Sequence, residues 1–227
     1  MRYRRNTQTS DFSSHNRESN AMPTDYEFTT NWFKRGKRDR WRAYFAKLPE
    51  ASPVRMLEIG SYEGRSAVFF AETLGERLRL DTVDPLGSPE VRDRFMTNTR
   101  HWRAAGVITH YSVHSTRGLA DLLVAGAQYD AINVDGSHEA LNVLYDGVMS
   151  LRLVKVGGVV CFDDYRWNSA DTIEPPKNAI DLLCRAHAPF VTVLHKADQV
   201  WLRKTADFNS LERMSKIWEV VYGAYSG

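Results

Sequence analysis

From Pro53 onward the chain alternates short, almost wholly apolar runs with longer stretches whose apolar residues recur every three or four positions. The short runs predict strands over Val54–Ile59, Leu78–Val83, Val107–Tyr111, Ala131–Val134 and Val159–Phe162. Between them the longer periodicity predicts helices over Ser66–Leu74, Glu90–Ala105, Thr116–Val124 and Ala140–Leu153. Strands that are apolar throughout, each followed by a helix, imply a parallel sheet covered on both faces. Two further strands, Phe190–His195 and Gln199–Leu202, are joined by the polar Lys196-Ala197-Asp198 and read as a hairpin. The fold class is therefore α/β: a mostly parallel seven-stranded sheet, helices on both faces, and a C-terminal antiparallel hairpin that places an antiparallel strand at its end.

The flanks carry other patterns. Residues 1–25 are polar and aperiodic and read as a disordered tail. Residues 26–52 form an aromatic and basic extension in which Trp41, Phe45 and Leu48 share one face of a short helix. Asp39 is its expected cap, and Arg38, Arg40, Arg42 and Lys47 are expected to point outward. Residues 53–205 make up the α/β domain. Residues 206–227 carry a helical stripe of Leu211, Met214, Ile217, Trp218 and Val221, fit to dock on this chain or on a second copy in a homo-oligomer.

Composition narrows the classes. A hydrophobic share of 43% supplies one core, and a formal charge of +2 argues for neither a nucleic-acid nor a membrane field. No apolar run reaches the length of roughly 18 residues that a membrane span needs. With no leader pattern and two cysteines, Cys161 and Cys184, in apolar surroundings, a cytoplasmic protein with buried free thiols is expected.

Candidate chemistry begins at Glu58-Ile59-Gly60-Ser61-Tyr62-Glu63-Gly64-Arg65-Ser66, directly after the first strand. Glycines at a sharp strand-to-helix turn let the backbone approach a ligand, and the helix N-terminus beyond offers unpaired N–H groups to an anion. Tyr62 stands where a dinucleotide fingerprint needs glycine, which argues against a nicotinamide dehydrogenase. Asp84, about twenty residues on at the end of the second strand, is placed to accept hydrogen bonds from ribose hydroxyls, or to form a turn before Pro85. Ser115, after the third strand, can meet an adenine edge or cap the next helix.

Acidic residues end the next two strands: Asp135 in Asp135-Gly136-Ser137-His138, and Asp163-Asp164 before Tyr165. Neighbouring strands of a parallel sheet bring such ends to one crevice, where three carboxylates repel unless a cation joins them. All-oxygen ligation points to Mg²⁺. His138 beside them is suited to take a proton from a hydroxyl, or serves structure alone.

These motifs resemble a known family. The Glu58–Ser66 run is similar to the first motif of catechol O-methyltransferase-like enzymes, tyrosine included. Tyr129–His138, Leu153–Gly158 and Phe162–Tyr165 resemble methyltransferase family 24, related to the metal-dependent sugar O-methyltransferases of macrolide and aminocoumarin pathways. The resemblance covers roughly Val54 to Arg203 and implies a Rossmann-like class I fold, with residues 53–205 as a domain binding S-adenosylmethionine (SAM). It implies that Gly60, Tyr62 and Ser66 hold the methionine end, Glu58 orients the loop and Asp84 binds the ribose; Gly64 and Ser115 join them as expected cofactor contacts on the reading of the residues. Asp135, Asp163 and Asp164 would hold Mg²⁺. His138 occupies the position of the catechol enzymes' lysine base, and Asp164 stands where they carry asparagine. The implied reaction is metal-dependent O-methylation of a hydroxylated small molecule (a sugar, phenol or natural product). The alternatives are a metal-independent SAM-dependent methyltransferase, and a nucleic-acid-binding SAM-fold module using Lys34-Arg35-Gly36-Lys37-Arg38 with Trp32, Phe33 and Trp41.

Overall fold

The computed structural model describes residues 25–169 and 173–207. The expected tail up to residue 24 and the helical stripe beyond residue 207 lie outside the described residues. Seven strands, β1 (Val54–Ile59), β2 (Leu78–Val83), β3 (Ile108–Tyr111), β4 (Tyr129–Val134), β5 (Val154–Phe162), β6 (Val191–Lys196) and β7 (Val200–Lys204), form one sheet in the order β3-β2-β1-β4-β5-β7-β6. The first five strands pair in parallel, as continuous apolar runs dictate. The hairpin forms, with one correction: the antiparallel strand is not at the end. β7 inserts between β5 and β6, antiparallel to both, and β6 takes the edge.

Helices cover both faces. Leu57, Ile59, Ile132 and Phe162 point to one core, with Leu119, Val143 and Ile180 above them. These come from α5 (Ser115–Val124), α6 (Ala140–Leu153) and α7 (Pro176–Ala186). Met56, Ala131 and Cys161 point to the opposite core, which α1 (Arg35–Phe45) and α2 (Arg65–Leu74) close. Cys161 is buried and Cys184 half-buried, and both thiols are free. No helix among the described residues is long and apolar enough to cross a membrane.

The expected helix over Glu90–Ala105 is two helices, α3 (Pro89–Asn98) and α4 (Arg100–Ala104). Thr99 divides them. Its hydroxyl donates back to the Phe95 carbonyl at 2.6 Å, the kind of bond that bends a helix. α7 was not expected; Pro176 at its first turn starts it, and Ala179, Ile180 and Leu183 give it a buried stripe.

α1 also differs in detail. Lys34 precedes it without a side-chain cap, and Asp39 lies inside the helix, pairing with Arg35 and Arg42 rather than capping. Arg40 does not point outward: its Nε donates to Gln199 Oε1 at 2.8 Å, and its guanidinium pairs with Asp198. Trp41 is fully buried, 4.5 Å from the Trp201 ring of β7 and 4.9 Å from Phe70 of α2. The extension is thus packed into the sheet's own core.

Candidate active site

In the strand order, β1 and β4 are the neighbours from which the chain winds outward in opposite directions, and a crevice opens at the carboxyl ends of such a pair. A cavity of about 920 Å³ lies there. The glycine turn forms part of its wall. Gly60 has φ +83°, and a Cβ on it would sit 2.2 Å from the Asp135 carbonyl oxygen, so only glycine lets the two strand ends approach. Gly64, φ +82°, starts α2 behind the cavity wall, where a Cβ would press on Thr99 at 2.9 Å. Tyr62 takes the left-handed conformation at φ 48° and packs against Trp32, ring centroids 4.9 Å apart.

Asp84 clamps this turn. Its Oδ2 accepts the Ser61 and Tyr62 N–H groups at 2.7 and 2.9 Å, and its Oδ1 accepts Leu86 N–H at 2.7 Å. A carboxylate has about four acceptor sites, so capacity remains for a hydroxyl in the cavity that Asp84 lines. A second acid secures the turn from the other side. Buried Glu63 accepts Thr29 N–H at 2.7 Å and the Thr29 hydroxyl at 2.6 Å, strapping the chain before α1 over the cavity.

Glu58 sits beneath the turn, fully buried, with Asn133 Nδ2 donating to it at 3.3 Å. Burial pushes its carboxyl up to about 7, against the pull of nearby Ser66, Ser61 and Asn133. The native state therefore holds a proton that an unfolded glutamate, near 4.5, has lost, and stability falls as pH rises through 7. Glu58→Gln keeps the shape without the charge. It should be more stable than the parent at pH 8.5 by on the order of 2–3 kcal/mol, the two converging below about pH 4. Thermal melts of both chains across this pH range check it.

Ser115 begins α5 and lines the cavity with Asp146 of α6. Ser115 is a hydrogen-bond partner of Asp146, not the helix cap; His114 holds that position. Asp146 is 1% exposed and its Oδ1 has no hydrogen-bond partner. Burial pushes its carboxyl up to about 6. Sequence reasoning missed it because one aspartate within a helical stripe carries no motif.

The cavity is also lined by the acidic motifs. Asp135, Asp163 and Asp164 do come together, and burial plus the two neighbouring carboxylates hold the Asp135 carboxyl well above its usual range. His138 Nε2 lies 3.0 Å from Asp164 Oδ2, and its ring stacks on Trp167 with centroids 4.1 Å apart. Within the cluster stands a residue the sequence reading did not assign to it. Lys37 of α1 places Nζ 2.6 Å from Asp163 Oδ2 and 3.7 Å from Asp164 Oδ1. Burial works against its charge, but Asp163, Asp135 and Asp164 hold its pKa above the ordinary lysine value. The signal was present: Lys37 is one helical turn before Trp41, on the face that α1 buries. Among the described residues, no three acidic, histidine or cysteine side chains are grouped to hold a metal ion.

Of the expected residues, Gly60, Tyr62, Ser66, Asp84, Ser115, Asp135, His138 and Asp164 line this one cavity. Glu58, Gly64 and Asp163 are not among its lining residues, though each adjoins one that is. A family profile described as a methyltransferase domain matches residues 57–165, the stretch that runs from the glycine turn through the acidic cluster. The matched stretch is a methyltransferase domain. This methyltransferase is 22% identical over 184 residues to a probable caffeoyl-CoA O-methyltransferase 3 of Dictyostelium discoideum, covering 77% of this chain and 70% of that one. Its fold matches that of an O-methyltransferase from Bacillus cereus in complex with SAH (TM-score 0.60, 16% identity), covering 76% of this chain and 82% of the other. It also matches MycE of the mycinamycin biosynthetic pathway, in complex with Mg, SAH and mycinamycin VI (TM-score 0.54, 16% identity), covering 81% of this chain and 52% of that enzyme.

Proposed function

We propose that this methyltransferase carries the methyl group of SAM to a hydroxyl oxygen of a small molecule. The observation that carries the reading is the one cavity lined by the Gly60 turn and Asp84 together with His138 and Asp164. The cradle suits SAM: Asp84 keeps acceptor capacity for ribose hydroxyls, and the orphaned Asp146 oxygen is matched to an amino donor such as adenine carries. Gly60, Tyr62 and Ser66 would hold the methionine end, Glu58 the loop beneath it, and Ser115 with Asp146 the adenine end. When bound, SAM supplies a methyl on a sulfonium sulfur, which departs as a neutral thioether while the acceptor oxygen forms the new bond.

The chain's own residues then align and deprotonate. In the neutral imidazole, Nε2–H donates to Asp164, which fixes the tautomer and leaves Nδ1 free to accept the proton of an acceptor hydroxyl. Trp167, stacked on His138, holds that ring in place. Alignment of the reacting atoms can supply roughly 7–11 kcal/mol of the barrier. Magnesium, which the resemblance implies and which accompanies MycE, does not fit this donor set as it stands. Asp163 is engaged by Lys37 and by the Asp164 N–H at 2.9 Å, and Asp164 is shared between His138 and Lys37. No step is derived through it.

A small acceptor is favoured over nucleic acid because the basic run turns Lys37 inward onto Asp163, and neighbouring Arg40 is likewise paired with Asp198. The test is calorimetric titration of SAM, followed by methyl-transfer assays on a panel of hydroxylated sugars, phenols and polyketides. Saturable SAM binding that weakens in Asp84→Asn is expected. Absence of SAM binding, or a steeply salt-dependent affinity for RNA in its place, would overturn the reading.

A further inference from the structure

Two strand ends place three carboxylates together, and the one full positive charge among them comes from outside the α/β alternation. We propose that the ammonium of Lys37 is the resident cation of this site, standing in the role that a divalent ion would otherwise take, and that its remaining N–H positions the acceptor oxygen. The positioning half rests on the methyl-transfer reading; the cation half stands on geometry alone.

That geometry is a count of partners. Asp163 Oδ1 accepts the Asp164 N–H at 2.9 Å, and Asp163 Oδ2 faces Nζ at 2.6 Å. Asp164 Oδ2 faces His138 at 3.0 Å, and its Oδ1 lies 3.7 Å from Nζ. All four oxygens of the β5 pair are therefore directed at groups of this chain. A magnesium ion would need at least one or two of these carboxylates at about 2.1 Å, with waters completing a near-octahedral shell, and the ammonium stands in the way. An ammonium has three N–H donors. Asp163 Oδ2 takes the close contact and Asp164 Oδ1, at 3.7 Å, is an ion pair beyond hydrogen-bond reach, so donor capacity is left for an oxygen in the cavity that Lys37 lines.

The position on α1 is what holds this cation in place. The Lys37 side chain is 14% exposed, one turn from fully buried Trp41, and the helix is fixed to β7 through Arg40. Such a cation cannot be removed by a chelator. It also carries one charge rather than two, so it acidifies an acceptor hydroxyl less than magnesium would. The His138–Asp164 pair at the same wall supplies the proton acceptor that the weaker cation leaves necessary.

The test is a Mn²⁺ titration of the full chain, read by the electron paramagnetic resonance of free and bound ion, needing no acceptor. The parent and Lys37→Arg should take up no ion at the cluster. Lys37→Gln, with the carboxylates left and the ammonium gone, should bind Mn²⁺ at least about tenfold more tightly than the parent. Asp163→Asn added to it should abolish the gain. Mn²⁺ bound by the parent and lost in Asp163→Asn overturns the proposal, and so does a Lys37→Gln chain that is folded by circular dichroism and gains nothing. Should Lys37→Gln fail to fold, the parent decides alone: Mn²⁺ uptake removed by Asp163→Asn overturns the proposal, and no uptake sustains it. SAM titration is a separate measurement, so its failure would undo the methyl-transfer reading without altering the Mn²⁺ result.

Discussion

His138→Ala is expected to lower the rate of methyl transfer by about 10²–10⁴-fold, the usual contribution of a positioned proton acceptor, while leaving SAM affinity near the parent value. The split follows from where the residue stands. His138 lies beside Asp164 in the cavity wall, stacked on Trp167, whereas the contacts proposed for SAM are made by Gly60, Asp84 and Ser115. Asp164→Asn should reproduce part of the loss. An amide can present a donor where the imidazole needs an acceptor, so the tautomer with a free Nδ1 is no longer favoured. Single-turnover rates with saturating SAM separate the two effects. Equal losses in SAM binding and in rate for His138→Ala would show that the ring serves the cofactor, not the acceptor.

Gly60→Ala should be the most damaging single-methyl change in the molecule. The residue is held at φ +83°, which costs an L-residue about 1–2 kcal/mol. The added Cβ would also lie 2.2 Å from the Asp135 carbonyl oxygen and 2.4 Å from Gly136 Cα, both backbone atoms with no room to rotate away. The ends of β1 and β4 must part, and together the terms should exceed about 4 kcal/mol, the range reserved for exceptional substitutions. The expected outcome is little folded protein and no SAM binding. Gly87→Ala, where nothing lies within 4 Å, is the matched control. A Gly60→Ala chain that melts within a few degrees of the parent and binds SAM would refute the close approach.

The legible parts of this fold were those where one physical cause acts alone. Strands buried on both faces are mostly apolar, so β1 and the last residues of β4 and β5 stood out. Gly60 and Gly64 were legible because a sharp turn against a neighbouring strand tolerates nothing else. The break at Thr99 was hidden, since its cause is a side-chain bond that competes with the helix rather than a change in periodicity. α7 was hidden by Pro175-Pro176, which reads as loop until Pro176 is placed in a first turn. Lys37 and Arg40 were obscured by their neighbours: in a run of basic residues, those facing inward look like those facing water. The acidic cluster was foreseen by strand-end geometry. Which cation answers it depends on a helix whose docking no local pattern specifies.

The docking of α1 has a consequence for synthesis. Trp41 and Arg40 meet Trp201 and Gln199, so an early helix is completed by the last strand of the sheet. A nascent chain can carry the whole glycine turn and both acidic motifs out of the ribosome while the wall bearing Lys37 still lacks its support. The reaction chamber is assembled last, by its two most distant parts, and a transcript cut short before residue 200 would yield a polypeptide with every signature motif and no finished chamber.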